Sequence, residues 1–278
     1  MSESIKFSGL LVVKLFKIFE QLRQKLMLES GLVKVQSPCF VHGDIVGNLN
    51  DLIALVEMLM PNFPYVNSRH IFLGNYFGNK PWGLECFIFL TCLKLIIADK
   101  IYFLVGYNEL NIKNIEKVCI QKYGAENGYS IYQLLKKTIP FLPLAVVVDS
   151  SVYCCNTNIT NDNIEEINKY PIINEDFIKT TFGQQMFSLD SLNDEVIQQF
   201  LNENNLSHLI RSNTNLRLEK TLQDRHVRVA LVSQNQNSPY QIVTVQIVQK
   251  FLRVLAKKNL KSNQISRKVI SPLDTTIN

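Results

Sequence analysis

Short apolar runs that stop at a turn bearing a polar residue constrain this chain more than anything else in it. Three stop at glycine, in FVHGDIVGNLNDL (40–52), HIFLGNYFGNK (70–80) and IYFLVGYNEL (101–110); a fourth, VYCCNTNIT (152–160), stops at Asn156. A strand ending this way puts its polar side chain on the rim of a sheet, where α/β folds gather their chemistry. Helix-type periodicity lies between the runs, as in 48–59, where apolar residues fall at 49, 52, 53, 56 and 59 and so share one face. The reading is helix 5–29, strand 39–44, helix 48–59, strand 69–74, helix 82–98, strand 100–105 and helices 111–122 and 129–138. PLAVVVD and SVYCC then pair as strands around Asp149, Ser150 and Ser151, followed by helix 193–204, strand 207–211 and the β-rich segments HVRVALVS and YQIVTVQIV. This order predicts an α/β fold of four layers, with two packed mixed sheets flanked by helices.

At 278 residues and 46% hydrophobic, the chain can bury a large core, and a single domain over 1–255 is expected. No apolar run approaches the ~18 residues a membrane span needs; LIALVEMLM is short and broken by Glu57. The six cysteines sit in apolar contexts with no C-x-x-C pair, which suits reduced thiols in the cytoplasm or nucleus. Residues 250–268 hold seven basic side chains and no acid, out of a net charge of +5. They read as a flexible basic tail over 256–278. Only Phe251 interleaves them, so no stacking nucleic-acid site is expected.

Taken in order, the four segments resemble the blocks of the serine/threonine phosphoprotein phosphatase family, within the calcineurin-like metallophosphoesterases. Those blocks are G-D-x-H-G, G-D-x-V-D-R-G, G-N-H-E and a Cys-Cys-His-Gly-Gly stretch. The spacing agrees: 32 positions separate Asn75 from Tyr107, and 49 separate Tyr107 from Asn156. VIQQFLNENNLSHLIRSNT (196–214) resembles the family's helix and strand ending in Arg-Ala-His, so the likeness runs over roughly residues 15–250.

The resemblance implies hydrolysis by two divalent metals that share a bridging carboxylate. Position by position, the metal slots hold Asp44, Val46, Asn75, Tyr107, Asn156 and Asn213, of which Asp44 alone keeps the family residue. An amide oxygen at Asn75 is neutral where a bridging carboxylate would offset charge, and Val46 offers no donor at all. The general-acid slot holds Asn108, which has no proton to give near neutral pH. The slot of its orienting Asp holds Gly78, and the phosphate-gripping Arg is Asn79, beside Lys80. Lys80 is a point charge for an anion without a bidentate fork. The 57 positions from Asn156 to Asn213 are fewer than the family pattern has.

Function follows as an expectation: a catalytically inactive phosphatase-like protein, a pseudophosphatase, that binds proteins such as phosphatase regulatory subunits or phosphoproteins. No cofactor is expected. The alternative is a weak phosphoesterase with one loosely held manganese or magnesium at Asp44, and a third reading is an anion sensor built on Lys80. His42, two residues before Asp44, shares its side of the strand but is expected to be a hydrogen-bonded strand histidine. Glu109 is expected to accept loop amides, and the asparagines to bond one another where the metals would lie. The strands in 240–255 are the candidate partner surface, against the plainer reading of a core strand.

Overall fold

The computed structural model describes residues 9–78, 80–110, 112–160, 164–170, 172–188, 194–212, 226–228, 240–248, 251–258 and 265–272. Asn79 and Asn213 lie outside them. The elements run α1 (Gly9–Leu26), β1 (Leu32–Val35), β2 (Cys39–His42), α2 (Leu49–Leu59), β3 (Arg69–Phe72), α3 (Gly83–Ile96), β4 (Ile101–Phe103), α4 (Tyr107–Leu110), α5 (Ile112–Tyr123) and α6 (Ala125–Thr138). After them come β5 (Ala145–Val148), β6 (Val152–Cys155), α7 (Glu175–Lys179), α8 (Thr181–Met186), α9 (Asp194–Glu203), β7 (His208–Arg211), β8 (His226–Arg228), β9 (Tyr240–Val248), β10 (Phe251–Lys258) and β11 (Ile265–Pro272).

The strands form two mixed sheets, ordered β1-β5-β6-β7-β8 and β11-β10-β9-β2-β3-β4. In β2 the period of two decides which side chain goes where. Cys39 and Val41 enter the dry core between the sheets with Ile71, Val146, Val245 and Ile247, while His42 lies against the ring of Phe72. Helices close the outer faces. Phe87 of α3 meets Tyr76, Phe77 and Phe103, and Phe200 of α9 packs edge-on to Tyr153. Aromatic contacts of this kind fix relative orientation as well as burying area.

The structure adds to the sequence reading at three places. Strand β1 has no periodic signal of its own in LVKV, and it forms because it pairs in parallel with β5 from Leu32 against Ala145 to Val35 against Val148. The stretch expected as a flexible tail from 256 holds the end of β10 and all of β11, paired antiparallel from Phe251 against Pro272 to Lys257 against Ile265. Within the candidate partner surface at 240–255, β9 pairs with β2 on one side and β10 on the other, and Val245, Ile247 and Leu252 are fully buried, so these three side chains belong to the core.

Candidate functional site

Five loops meet where strands of the two sheets end: those after β2, β3 and β4 from one sheet, and those after β6 and β7 from the other. Asp44 follows β2, and its Oδ1 accepts from Ser212 Oγ at 2.6 Å and from Asn156 Nδ2 at 2.8 Å. Its own backbone amide donates to Ser212 Oγ at 2.7 Å. Asn75, after β3, donates from Nδ2 to Asn156 Oδ1 at 3.3 Å and accepts at Oδ1 from the amide of Asn108 at 2.9 Å. Asn156 Oδ1 also takes the amide of Tyr107 at 3.4 Å. Asp44, Asn75 and Asn156 are buried, and Ser212 almost completely so. These bonds run from one sheet to the other across the place where the resemblance puts a metal pair.

A second buried carboxylate holds the loops from below. Glu109 accepts from four backbone amides: Asn75 at 2.8 Å, Tyr76 at 2.8 Å, Phe77 at 3.3 Å and Gly106 at 2.7 Å. Burial pushes its carboxyl up to about 7, against the pull of those donors, so desolvation outweighs hydrogen bonding. Gly106 must be glycine, because a Cβ there would lie 2.3 Å from Asn75 N and 2.7 Å from Glu109 Oε2. Asn108, in the general-acid slot, donates from Nδ2 to Phe77 O at 2.5 Å and so spends its amide on loop structure.

Burial likewise pushes the Asp44 carboxyl up to about 6, with Ser212, Asn75 and Asn156 pulling the other way. Its Oδ2 is buried with no hydrogen-bond partner among the described residues. Two adjacent dications need several anionic oxygens or free imidazoles. In this cluster only Asp44 is anionic and one of its oxygens is taken, while the side-chain oxygens of Asn75 and Asn156 already accept N–H groups. Val46 contributes methyls. These residues do not fit a metal pair. Among the described residues no group of three or more His, Cys, Asp and Glu side chains gathers to hold an ion.

Val46 is buried at φ 45°, a left-handed backbone that a β-branched side chain strains to adopt. Its loop is pinned by bonds from Val46 N to Asn75 O at 2.7 Å and from Lys80 N to Val46 O at 3.2 Å. Gly78 is pressed against it: a Cβ at 78 would stand 2.6 Å from Val46 Cβ. Tyr107 is 47% exposed and Lys80 is exposed. His42 turns away from Asp44. Its Nδ1 meets Thr244 Oγ1 at 3.0 Å and its Nε2 meets His70 Nδ1 at 3.1 Å, and Ser68 Oγ lies 3.1 Å from His70 Nε2.

Two participants were not singled out from the sequence for what they do. Ser212 takes the middle place of the block resembling Arg-Ala-His, so a hydroxyl stands where the resemblance has a methyl, beside Asn213; that difference is the signal. Arg211 is buried and donates from Nε to Thr157 O at 2.9 Å and from Nη2 to Asn158 Oδ1 at 2.6 Å, tying the end of β7 to the loop after β6.

No family model matches the chain. It is 26% identical over 212 residues to a protein of Schizosaccharomyces pombe provisionally named a serine/threonine-protein phosphatase, across 68% of this chain and 67% of that one. With the serine/threonine-protein phosphatase 4 catalytic subunit of Kluyveromyces lactis it is 31% identical over 153 residues, 52% of this chain and 47% of the relative. The matched stretch thus spans about two thirds of the first relative's length and about half of the second's. Among solved structures, a serine/threonine phosphatase of Saccharomyces cerevisiae with similarity to human phosphatase PP5 superposes with a TM-score of 0.70, at 15% identity, over 95% of this chain and 90% of that one. A cold-active protein-tyrosine phosphatase of Shewanella superposes at 0.65 with 10% identity, over 89% and 84%. Ordered motif frame, sheet topology and these relatives agree: the chain is a homologue of serine/threonine-protein phosphatases and has the metallophosphoesterase fold.

Proposed function

We propose that this protein is a phosphatase relative that does not hydrolyse phosphate esters and acts by binding proteins. The observation that carries the reading is the bonding of Asp44, Asn75, Asn156 and Ser212 to one another. It commits to structure the side-chain oxygens of Asn75 and Asn156 and one oxygen of Asp44. Asn108 supplies no acid and Val46 no ligand, so neither water activation nor leaving-group protonation has a residue to perform it. The curated relatives include catalytic subunits of phosphatases; we infer that this chain keeps such a protein's outer surface and meets regulatory subunits or phosphoproteins with it. Its six free cysteines support a reducing compartment, cytoplasm or nucleus.

The second reading is a weak phosphoesterase with a single hard cation at Asp44, favoured by the unpartnered Oδ2 and by the liking of manganese and magnesium for carboxylate oxygen. One experiment separates the two. Chelator-treated protein is melted with and without manganese and assayed on a chromogenic phosphate ester and a phosphopeptide, beside Asp44→Asn. No melting shift and no turnover above the variant supports the first reading. Turnover that tracks the pure protein and vanishes in Asp44→Asn sinks it.

A further inference from the structure

Helix α1 carries two stripes. Leu15, Phe19, Leu22 and Leu26 are buried in the core, at the spacing of an inward face. Beside them Val13, Phe16, Glu20 and Arg23 repeat at intervals of three and four, so they too share a side of the helix. Val13 and Phe16 are 53% and 54% exposed. From Phe16 onward this second stripe becomes one wall of a cavity of about 470 Å³, closed on the other side by the last turn of α6 and by Phe141 and Ile172. That volume lies within the ~300–1,000 Å³ of clefts that take up ligands.

The cavity has an apolar lining and a cationic rim. Leu134 and Thr138, which are buried, line it with Phe16, Phe141, Ile172 and the polar Asn174, and Lys136 and Lys137 of the same lining are exposed. The one acid lining it is Glu20, which already accepts from Arg23 at 2.6 and 3.2 Å. Lys137 is close enough to act on the same carboxylate. Among the described residues neither lysine enters an ion pair. Counting Arg23, Lys136 and Lys137 against Glu20 leaves two positive charges over an apolar hollow.

From this geometry we propose that the α1–α6 cavity docks an acidic segment of a partner protein, which inserts one bulky apolar side chain beside Phe16 while its carboxylates meet Lys136 and Lys137. An apolar anchor supplies affinity in such a site and the charged rim supplies steering and register. The inference rests on the protein-binding reading above and names the partner's chemistry.

The test is a selection of random peptides displayed on phage against the full chain, followed by synthesis of the enriched consensus and measurement of its affinity by fluorescence anisotropy. The expected consensus sets two or more acidic residues around Phe, Leu or Trp. Its affinity should fall at least tenfold in Lys136→Glu/Lys137→Glu and in Phe16→Ser, and should weaken between 50 and 300 mM salt, as a charge-steered contact must. All three altered side chains are exposed, so the variants are expected to melt with the parent. A consensus without acids, no consensus at all, or equal binding by the variants overturns the proposal. It is equally overturned if the same variants instead lose binding to anionic vesicles, or lose self-association in sedimentation. Phosphatase turnover by the same preparation would overturn the non-hydrolytic reading without touching the peptide result, so the two fail separately.

Discussion

The hydroxyl of Ser212 bonds twice to Asp44: it accepts from the Asp44 backbone amide at 2.7 Å and donates to Asp44 Oδ1 at 2.6 Å. One side chain at the end of β7 thus fixes both the main chain and the carboxylate of a loop that leaves the other sheet. Removing it in Ser212→Ala strands a buried amide and weakens a buried carboxylate's support. Each such loss costs roughly 1–3 kcal/mol, and about 2–3 kcal/mol is expected in total. Urea unfolding measures this, with an unchanged slope. A loss under 0.5 kcal/mol would mean that Ser212 carries little of the bridge between the two sheets.

Glu109 gathers four amide donors on two oxygens. Glu109→Gln keeps its size but turns one acceptor into a donor facing other donors. The expected cost is about 2–3 kcal/mol, with faster hydrogen exchange at Asn75, Tyr76 and Gly106. Exchange unchanged at those amides would show that their protection comes from burial alone.

Gly78 and Val46 are a coupled pair. Gly78→Ala forces a Cβ to within 2.6 Å of Val46 Cβ and is expected to cost about 1–3 kcal/mol. Val46→Gly loses buried methyls but releases the strained φ of 45°, which by itself is worth about 1–3 kcal/mol. The double variant should therefore be more stable than the two single losses added together, by at least about 1 kcal/mol in a double-mutant cycle. Additive effects would mean that the loop moves to admit the new methyl.

The buried pair His42 and His70 should make the protein sensitive to acid. Burial holds His70 down to about 3, and burial together with His70 holds His42 well below its ordinary value. Both rings stay neutral in the fold, while the unfolded chain takes up protons below about pH 6.5. Their contribution is present above that pH and is lost as pH falls from about 6.5 toward 3. By pH 5 the loss amounts to about 2 kcal/mol for His70. Asp44 and Glu109, raised to about 6 and about 7, act in the opposite sense, since the fold holds their protons more tightly. The difference between His70→Gln and the parent cancels those two groups, so the variant should gain about 2 kcal/mol relative to the parent between pH 7.5 and pH 5. Denaturant curves at the two pH values check it, and a difference that does not change with pH removes the histidines from the account.

How much of this was legible depends on the range of the interaction. The helices at 48–59 and 82–98 lie within a residue or two of α2 and α3, because amphipathic periodicity and turn glycines are local. Glu109 was readable as a clamp since its partner loops all end strands of the same sheet. The bonding of the asparagines followed from chemistry, since facing amides with no ion between them pair. Ser212 on Asp44 joins residues 168 positions apart, and His42 on His70 depends on the strand register; no window of sequence contains either. Strand β1 escaped notice because LVKV is ordered by its neighbour, and the β10–β11 hairpin because its charge resembled that of a tail.

The three hydrogen bonds of Asn156, to Asp44, Asn75 and Tyr107, bear on the direction in which this chain can change. An imidazole in place of Asn156 would break all three at once. The same holds for Asn75, whose amide serves Asn156 on one side and Asn108 on the other. Each single substitution is therefore a step into a less stable protein, because every member of the lattice answers to the others. The asparagines are locked in as a group: none can be exchanged alone without unsettling its neighbours.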